Sequence, residues 1–466
     1  MQPILCYLSR QYFPLPIGET MSIITEVIKR SGTKVPFTPE RITNAIYRAA
    51  IAVGGRDRAQ AQDLSRQVVA LLEANTPAGT TPNIEQIQDL VEKVLIENGH
   101  ARVAKAYILY RNERARQRNR RKDGELTPSG NIPWSKIWSV LDWSVDHGVN
   151  TITLLNEKIH NGAINDVVTS AEAAYNEDVE NAANLVLERK DEVRMVFVAG
   201  PSSSGKTTTT IKLGEKLAQE GLKLVTLNVD HYFHDLAMHP KDQFGDYDFE
   251  TPQALNMPLI NEHLSRMFAG EEVRIPFYDF KSGTSYPDRT PMKLEKNDII
   301  LIDSLHGLYP EMTRDIPAEM KFKLYIEPLL QLKDSHGNYV RWTDIRLIRR
   351  MLRDSVHRAY DPEQTLLHWH YVRDSELRHI IPFMNTCDTV VSSAMPYEMP
   401  LYRHKMAGLF AGWVQKFKGD PLREDAYNRA ERVHQLFQEL KEISDDSIVP
   451  PNSVIREFIG GGIYKY

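Results

Sequence analysis

Met195-Val196-Phe197-Val198-Ala199 is followed directly by Gly200-Pro201-Ser202-Ser203-Ser204-Gly205-Lys206-Thr207. The first run is apolar enough for a buried strand, and the residues after Lys206 are compatible with a helix. Between them, the spacing of the two glycines, the lysine and the threonine is that of a P-loop. Its backbone N–H groups turn inward around a phosphate chain, and the helix N-terminus adds partial positive charge. The stretch therefore predicts a nucleoside triphosphate site.

The residues of this loop have separate expected roles. We expect Lys206 to reach the β- and γ-phosphates of ATP and Thr207 to ligate Mg²⁺. Further nucleotide contacts are expected from Gly200, Ser202, Ser203, Ser204, Gly205 and Thr208. ATP and Mg²⁺ are thus the expected cofactors.

Five short apolar runs indicate the fold class. They are residues 194–199, 223–229, 298–303, 322–326 and 389–393, and helical patterns lie between them. Right-handed crossovers between such strands give a doubly wound α/β fold with a five-stranded parallel sheet. Ligands of this fold bind at the carboxyl ends of the strands.

Two acids stand at that edge of the predicted sheet. Asp230 follows the second run and Asp303 ends the third. An acid after a strand beside a P-loop commonly holds Mg²⁺, and we assign this role to Asp303. Asp230 is then available as a general base toward an attacking hydroxyl. Either acid could instead cap the next helix, and both roles could coexist.

A basic helix is predicted at residues 345–358. Its expected apolar face is Ile345, Ile348, Leu352 and Val356, and its expected cationic stripe is Arg346, Arg350, Arg353 and His357. Guanidinium groups beside a P-loop could neutralise charge on a migrating phosphoryl group, as a lid does. The alternative is a solvated face.

Composition limits the class of partner. The 466 residues carry a net charge of −5, which predicts neither a nucleic-acid nor a membrane partner. Two cysteines and no apolar run of spanning length favour a cytoplasmic protein. Residues 1–20 are expected to be an N-terminal extension. The cationic stretch at residues 112–122 contains no aromatic residue, which favours a solvated linker helix.

Residues 21–117 carry a hairpin pattern followed by four amphipathic helical patterns. The sequence of this region resembles the ATP-cone. The matching segments run from Val27-Ile28-Lys29-Arg30 to Ala104-Lys105-Ala106-Tyr107-Ile108-Leu109-Tyr110-Arg111. That family binds ATP or dATP and changes quaternary structure without doing chemistry. The resemblance implies a regulatory domain in a homo-oligomer, with phosphate contacts from Lys29, Arg30 and Arg41.

Residues 195–400 resemble the uridine kinases and their phosphoribulokinase relatives. The ordered motifs are Asp230-His231-Tyr232-Phe233, Phe249-Glu250-Thr251-Pro252-Gln253-Ala254-Leu255, Ile275-Pro276-Phe277-Tyr278-Asp279-Phe280 and Arg349-Arg350-Met351-Leu352-Arg353-Asp354. The resemblance implies that Asp230 is the base and that Glu250 accepts a ribose hydroxyl. It places Arg350, Arg353 and Arg358 on the phosphate side, and Phe233, Tyr278 and His368 with Glu250, Arg350 and Arg353 on the acceptor side.

Four positions depart from the uridine kinases: Phe233 replaces a tyrosine, Asp303 replaces a glutamate, and Gly283 and His368 replace residues that read the base. Gly283 stands where they carry a histidine that reads the pyrimidine, and His368 stands where a glutamine reads the base. A uridine kinase-like subgroup is more similar, because it shares Arg346-Leu347-Ile348-Arg349-Arg350 and the terminal Arg456-Glu457-Phe458-Ile459-Gly460-Gly461. The acceptor is therefore a small molecule that these motifs do not name.

The predicted organisation is an ATP-cone at 21–117, a helical connector at 118–190, a kinase domain at 191–415 and a C-terminal helix and tail at 416–466. Three functions remain open. The chain could be a kinase of a nucleoside or nucleoside-like molecule gated by the cone, a kinase of another sugar or polyol, or a non-catalytic nucleotide-sensing switch. A switch would have no use for a base such as Asp230.

Overall fold

The computed structural model describes residues 24–108, 132–357 and 361–465, except 30–33, 52, 54, 56, 78, 241–246 and 248–249. Arg30 and Arg358, the extension at 1–20 and the basic stretch at 112–122 lie outside these residues. The chain divides into two compact units, Met1–Glu125 and Leu126–Tyr466. No helix in the described ranges is long and apolar enough to cross a membrane.

The first unit is a short hairpin followed by helices. Strands β1 (Glu26–Ile28) and β2 (Lys34–Pro36) pair antiparallel. Helices α1 (Glu40–Ile51), α2 (Arg58–Asn75) and α3 (Ile84–Glu97) follow, and residues 101–108 form α4. Asp57 and Asn83 cap α2 and α3, because each side chain accepts a backbone N–H of the first turn. The apolar stripes of these helices share one core with Val27 of the hairpin.

The second unit is built on the expected parallel sheet of five strands. These are β3 (Met195–Ala199), β4 (Leu224–Thr226), β7 (Ile299–Ser304), β8 (Lys321–Glu327) and β9 (Thr389–Ser392). Their spatial order is β4-β7-β3-β8-β9, and each adjacent pair is parallel. The predicted α/β fold class is confirmed. The second strand is shorter than its apolar run, because the chain turns into a 3-10 helix at Val229–Tyr232.

Alternating side chains of β3 supply two hydrophobic cores. Val196 and Val198 face one core with helices from both ends of the unit, while Met195 and Phe197 face the other. The helices of this unit are α5 (Trp134–Asp146), α6 (Ile152–His160), α7 (Ile164–Glu188), α8 (Lys206–Gln219), α9 (Met257–Phe268), α10 (Trp342–His357), α11 (Pro362–His379), α12 (Glu398–Phe417), α13 (Glu424–Glu439) and α14 (Arg456–Ile459).

The helices that precede β3 belong to the same core as the sheet. Val179, Ala182 and Val186 of α7 are buried with residues of β3, α8 and β8. The Tyr175 hydroxyl lies 2.7 Å from Thr209 Oγ1, which ties α7 to the helix that follows the P-loop. Residues 134–188 thus help to fix the position of the phosphate-binding helix.

A second β-hairpin stands apart from the main sheet. Strands β5 (Val273–Asp279) and β6 (Thr284–Met292) pair antiparallel. The strand runs predicted from the sequence did not include this hairpin, because β6 contains two prolines and mostly exposed polar residues. Its first strand carries the motif that contains Tyr278.

Candidate active site

Two glycines give the loop after β3 its shape, for different reasons. A Cβ at Gly200 would lie 2.2 Å from the Ile326 carbonyl oxygen of the neighbouring strand. Gly205 has a φ of 93°, a left-handed conformation that favours glycine, and it precedes the first residue of α8. The loop can therefore turn tightly and present backbone N–H groups at the helix N-terminus.

Lys206, Thr207 and Asp303 lie together at the carboxyl edge of the sheet. The Lys206 ammonium donates to the Pro201 carbonyl at 3.1 Å, and the Thr207 hydroxyl donates to Asp303 Oδ2 at 2.8 Å. Burial lowers the pKa of Lys206. Burial also raises the pKa of Asp303 to about 6, although the nearby Lys206 charge opposes that rise.

This donor set fits Mg²⁺. A hydroxyl and a carboxylate oxygen are hard ligands, and Mg²⁺ in kinases is commonly held by one or two protein oxygens together with substrate phosphates. Thr207 and Asp303 are the residues that would hold it, as expected from the sequence. Its chemistry would be to neutralise phosphate charge.

Asp230 lies just beyond β4, within the 3-10 helix rather than at the strand end. Its backbone N–H donates to Asn228 Oδ1 at 3.0 Å, and the residue is exposed. Its negative charge contributes to the raised pKa of Asp303, after the larger effect of burial. Because β4 and β7 are adjacent parallel strands, Asp230 and Asp303 lie at the same edge of the sheet.

Arg346 does not belong to the expected cationic stripe of the lid. It is fully buried, and its guanidinium lies 2.9 Å from Glu376 Oε2 and 3.4 Å from Glu327 Oε1. It also donates to the Ser202 carbonyl at 3.1 Å. The prediction was wrong because a helical wheel cannot show acids brought by β8 and α11. Arg346 supports the P-loop from within the core.

Arg349 has the same supporting role. It is fully buried, pairs with Glu398 at 2.7 Å and donates to Ser393 Oγ at 3.0 Å and to the Ser204 carbonyl at 3.5 Å. The sequence carried a signal for this, because position 349 follows Ile345 by four residues on the apolar face. The predicted face was wrong at its other end, where Val356 is half exposed.

Arg350 and Glu250, both assigned by resemblance, meet in the structure. Arg350 Nη1 lies 2.9 Å from Glu250 Oε1 and 3.1 Å from Ser202 Oγ. Ser375 of α11 donates to the Glu250 carbonyl. The side chains of Arg350 and Glu250 are only 24% and 20% exposed, so they lie in a cleft rather than on a solvated face.

A C-terminal residue that the sequence analysis did not place in the site also reaches the P-loop. The Glu457 carboxylate accepts from the Thr208 backbone N–H at 3.1 Å and from its hydroxyl at 2.9 Å. Its other oxygen is 3.8 Å from Arg353 Nη1. The terminal motif was noticed in the sequence, but its partner lies 249 positions earlier in the chain.

An aromatic cluster lies beside Asp230. Ring centroids are 5.4 Å apart for Phe233 and Tyr278, 4.9 Å for Tyr278 and Phe280, and 5.5 Å for Phe233 and His239. The last of these was not expected from the sequence. Phe233, Tyr278 and His239 are buried, whereas the Phe280 ring is 60% exposed and offers a face on which a planar ligand group can stack.

The two departures from the uridine kinase pattern at base-reading positions lie in different places. Gly283 has a φ of 67°, and a Cβ there would lie 2.8 Å from Leu236 Cβ, so a histidine does not fit without rearrangement. His368 is exposed on α11, with its ring 6.1 Å from Tyr371. The described ring contacts do not join His368 to the aromatic cluster.

Two of the three cationic residues expected to bind nucleotide in the first unit, Lys29 and Arg41, lie among the described residues, and both are exposed. Lys29 follows β1, and Arg41 lies in the first turn of α1. Among the contacts of the described residues, neither has a buried ion pair, unlike the cations around the P-loop.

Two different family models match the two compact units of the chain. The model of the ATP cone domain matches residues 25–116, and that of the phosphoribulokinase/uridine kinase family matches residues 195–398. Uridine kinase of Bacillus pumilus is 30% identical over 165 residues, which are 35% of this chain and 69% of that protein. Uridine kinase of Deinococcus deserti is 27% identical over 198 residues, 42% of this chain and 86% of that protein.

Solved structures are more distant. A possible uridine kinase from Bacillus stearothermophilus has a TM-score of 0.33 at 15% identity, covering 46% of this chain and 98% of its own. D-glycerate 3-kinase from Cryptococcus neoformans has a TM-score of 0.24 at 13% identity, covering 62% of this chain and 90% of its own. The sequence relatives, the P-loop and the five-stranded sheet together place this chain in the phosphoribulokinase/uridine kinase family of P-loop kinases, with an ATP-cone domain before the kinase.

Proposed function

We propose that this kinase transfers the γ-phosphate of ATP to a hydroxyl of a nucleoside or nucleoside-like small molecule. The observation that carries the proposal is the placing of Asp230 beside the Thr207–Asp303 pair. Asp230 is exposed and follows β4, the strand that pairs with β7, which carries Asp303. A carboxylate outside the metal-holding pair is suited to accept a proton from a bound alcohol.

The proposed transfer is a direct displacement. The acceptor oxygen forms a bond to the γ-phosphorus, the bond from that phosphorus to the β,γ-bridging oxygen breaks, and ADP leaves with the electron pair. The hydroxyl proton passes to Asp230. Lys206 and Arg353 lie on the phosphate side, where positive charge stabilises the developing negative charge.

The acceptor would lie beside Glu250 and Arg350. Glu250 would accept a hydroxyl of the ribose or of a comparable polyol, in exchange for part of its contact with Arg350. Phe280 would stack on the planar part of a nucleoside, and the buried rings of Phe233 and Tyr278 would support it from behind. Arg350, released from Glu250, would turn to the transferred phosphate.

Substitution of Asp230 tests the chemistry. Asp230→Asn should lower kcat by about 10²–10⁴-fold with little change in ATP affinity, because the base acts on the acceptor. Asp142→Asn, an exposed acid on α5, is the matched control. An equal loss of ATP binding in Asp230→Asn would instead make this residue a metal ligand.

Substitution of the P-loop lysine tests whether transfer takes place there. Lys206→Ala should abolish Mg²⁺-dependent ADP production, since its ammonium is expected on the β- and γ-phosphates. Near wild-type turnover in that variant, from a clean preparation, would refute the assignment of phosphoryl transfer to the P-loop.

A non-nucleoside sugar or polyol is the second candidate acceptor. Gly283 favours it, because the close approach of Leu236 leaves no room for a base-reading histidine at that position. ADP release should be measured across nucleosides and sugar alcohols, each with and without dATP. Turnover with sugar alcohols alone would select this candidate over the nucleoside.

The regulatory part of the proposal concerns the ATP-cone. It would bind ATP or dATP through Lys29, Arg30 and Arg41 and shift the protein between homo-oligomers in the cytoplasm. A coupling of roughly 1–3 kcal/mol would change activity about 5- to 150-fold. Light scattering and kinetics should compare the full chain with a variant lacking residues 1–117. The same number of subunits and the same dATP response in both would show that the cone does not regulate.

A further inference from the structure

The last turn of structure in the chain, α14, lies against the P-loop. Val454, Ile455 and Phe458 are fully buried around it, and a Cβ at Gly205 would lie 2.5 Å from Val454 Cγ2. Arg456 anchors the segment by donating to the carbonyls of Asp446 at 2.8 Å and Val449 at 2.7 Å. The backbone beside Glu457 is therefore fixed, and its side chain is directed at one place.

The Glu457 side chain is directed at the N-terminus of α8. Glu457 is 2% exposed, and one carboxylate oxygen takes both the backbone N–H and the hydroxyl of Thr208. Donors at this position of a P-loop are the ones that cradle the phosphates near the nucleoside. A carboxylate oxygen and a phosphate oxygen compete for the same two donors, and their like charges repel.

The same carboxylate has a second charged neighbour. Its other oxygen is 3.8 Å from Arg353 Nη1, on the helix that carries the phosphate-side arginines. Glu457 therefore keeps a cationic neighbour if its bonds to Thr208 are given up.

We propose that Glu457 is an autoinhibitory latch, whose carboxylate occupies a phosphate position of the P-loop until nucleotide displaces it. The proposal rests on the proposed function only in taking the P-loop as the ATP site. It concerns regulation within the kinase unit and is separate from the ATP-cone. The competing explanation is a purely structural cap of α8.

A measurement of nucleotide binding distinguishes the autoinhibitory latch from a structural cap of α8. MgADP should be titrated into the full chain by calorimetry, and the P-loop component is the one that Lys206→Ala removes. Glu457→Gln keeps the shape of the side chain but removes its charge, so that component should tighten about tenfold. Unchanged or weaker MgADP binding would overturn the latch.

A matched control lies on the same helix. Glu215 of α8 accepts from the Tyr464 hydroxyl at 3.0 Å and is exposed. Glu215→Gln removes one negative charge and one contact with the C-terminal segment, yet it should leave MgADP binding unchanged. Equal tightening in both variants would mean that general charge, rather than the latch, is responsible.

A second measurement avoids any loss of folding in the variant. In a crystal structure of the wild-type chain with MgADP, Thr208 should donate to a phosphate oxygen and Glu457 should have left hydrogen-bonding distance. Retention of the Glu457–Thr208 bond in that complex would overturn the proposal. Because both readouts are binding, a chain that binds ADP but transfers no phosphate would refute the proposed function without affecting this test.

Discussion

Arg346 and Arg349 lie on the same helix as Arg350 and Arg353, yet the two pairs have different surroundings. The first two are fully buried and donate to P-loop carbonyls and buried glutamates. The other two are 24% and 18% exposed and face acids that line the site. Burial in this helix thus separates guanidinium groups that hold the loop from those available to a ligand. Substitution should therefore affect stability in one pair and activity in the other.

The largest effect is expected for Arg346→Ala. Glu376 and Glu327 would lose their buried partner, and breaking a buried ion pair from one side costs about 3–5 kcal/mol of unfolding free energy. Chemical denaturation should measure this loss. The control is Arg266→Ala. The partners of Arg266, Glu262 and Glu271, are exposed, so this substitution should hardly change the melting temperature. Similar melting temperatures for both variants would contradict the distinction.

Arg350→Ala should act on catalysis instead. We expect kcat to fall by about 10²–10³-fold, as when one group that stabilises transition-state charge is removed. The melting temperature should change much less than in Arg346→Ala, because Arg350 is partly solvated. Steady-state kinetics and thermal unfolding on the same preparations provide the check. A stable variant with normal kcat would remove Arg350 from the site.

Much of this site could be predicted from local sequence. The P-loop, Thr207, Asp230 after β4 and Asp303 in β7 follow from motifs only a few residues long, and the structure brings them to one edge of the sheet. Arg346 was misassigned because its partners Glu327 and Glu376 come from separate elements. Glu457 was missed for the same reason, since one-dimensional spacing carries no information about a contact that joins the C-terminus to α8. Strands of mostly exposed polar residues, such as β6, also lack the apolar runs by which a strand is identified in a sequence.

The buried carboxyl of Asp303 predicts that the affinity for Mg²⁺ depends on pH. The expected change is smaller than the effects of the arginine substitutions on α10. Burial raises the pKa of Asp303 to about 6, so this carboxyl is largely ionised at pH 7 and largely protonated at pH 5. Only the ionised form holds Mg²⁺ well, so the affinity for Mg²⁺ at saturating ADP should fall about tenfold as pH falls across this range. Parallel titration of Asp303→Asn should lack that step. A step of the same size in the variant would assign the titration to another group.

The smallest effect on stability is expected at the exposed cations of the first unit. Lys29 and Arg41 are solvated, and nothing described around them resembles the paired guanidiniums of α10. Removing an exposed charge seldom alters folding, so a Lys29→Gln, Arg41→Gln double variant should keep its melting temperature. If these residues bind the phosphates of ATP or dATP, the variant should nevertheless lose the dATP-dependent change in mass and activity. Light scattering with dATP is the measurement, and Lys93→Gln on α3, another exposed cation, is the control. A full dATP response in the double variant would show that Lys29 and Arg41 are not the residues through which the cone senses nucleotide. The distinction between cations that stabilise the fold and cations that bind a ligand would then apply to α10 alone.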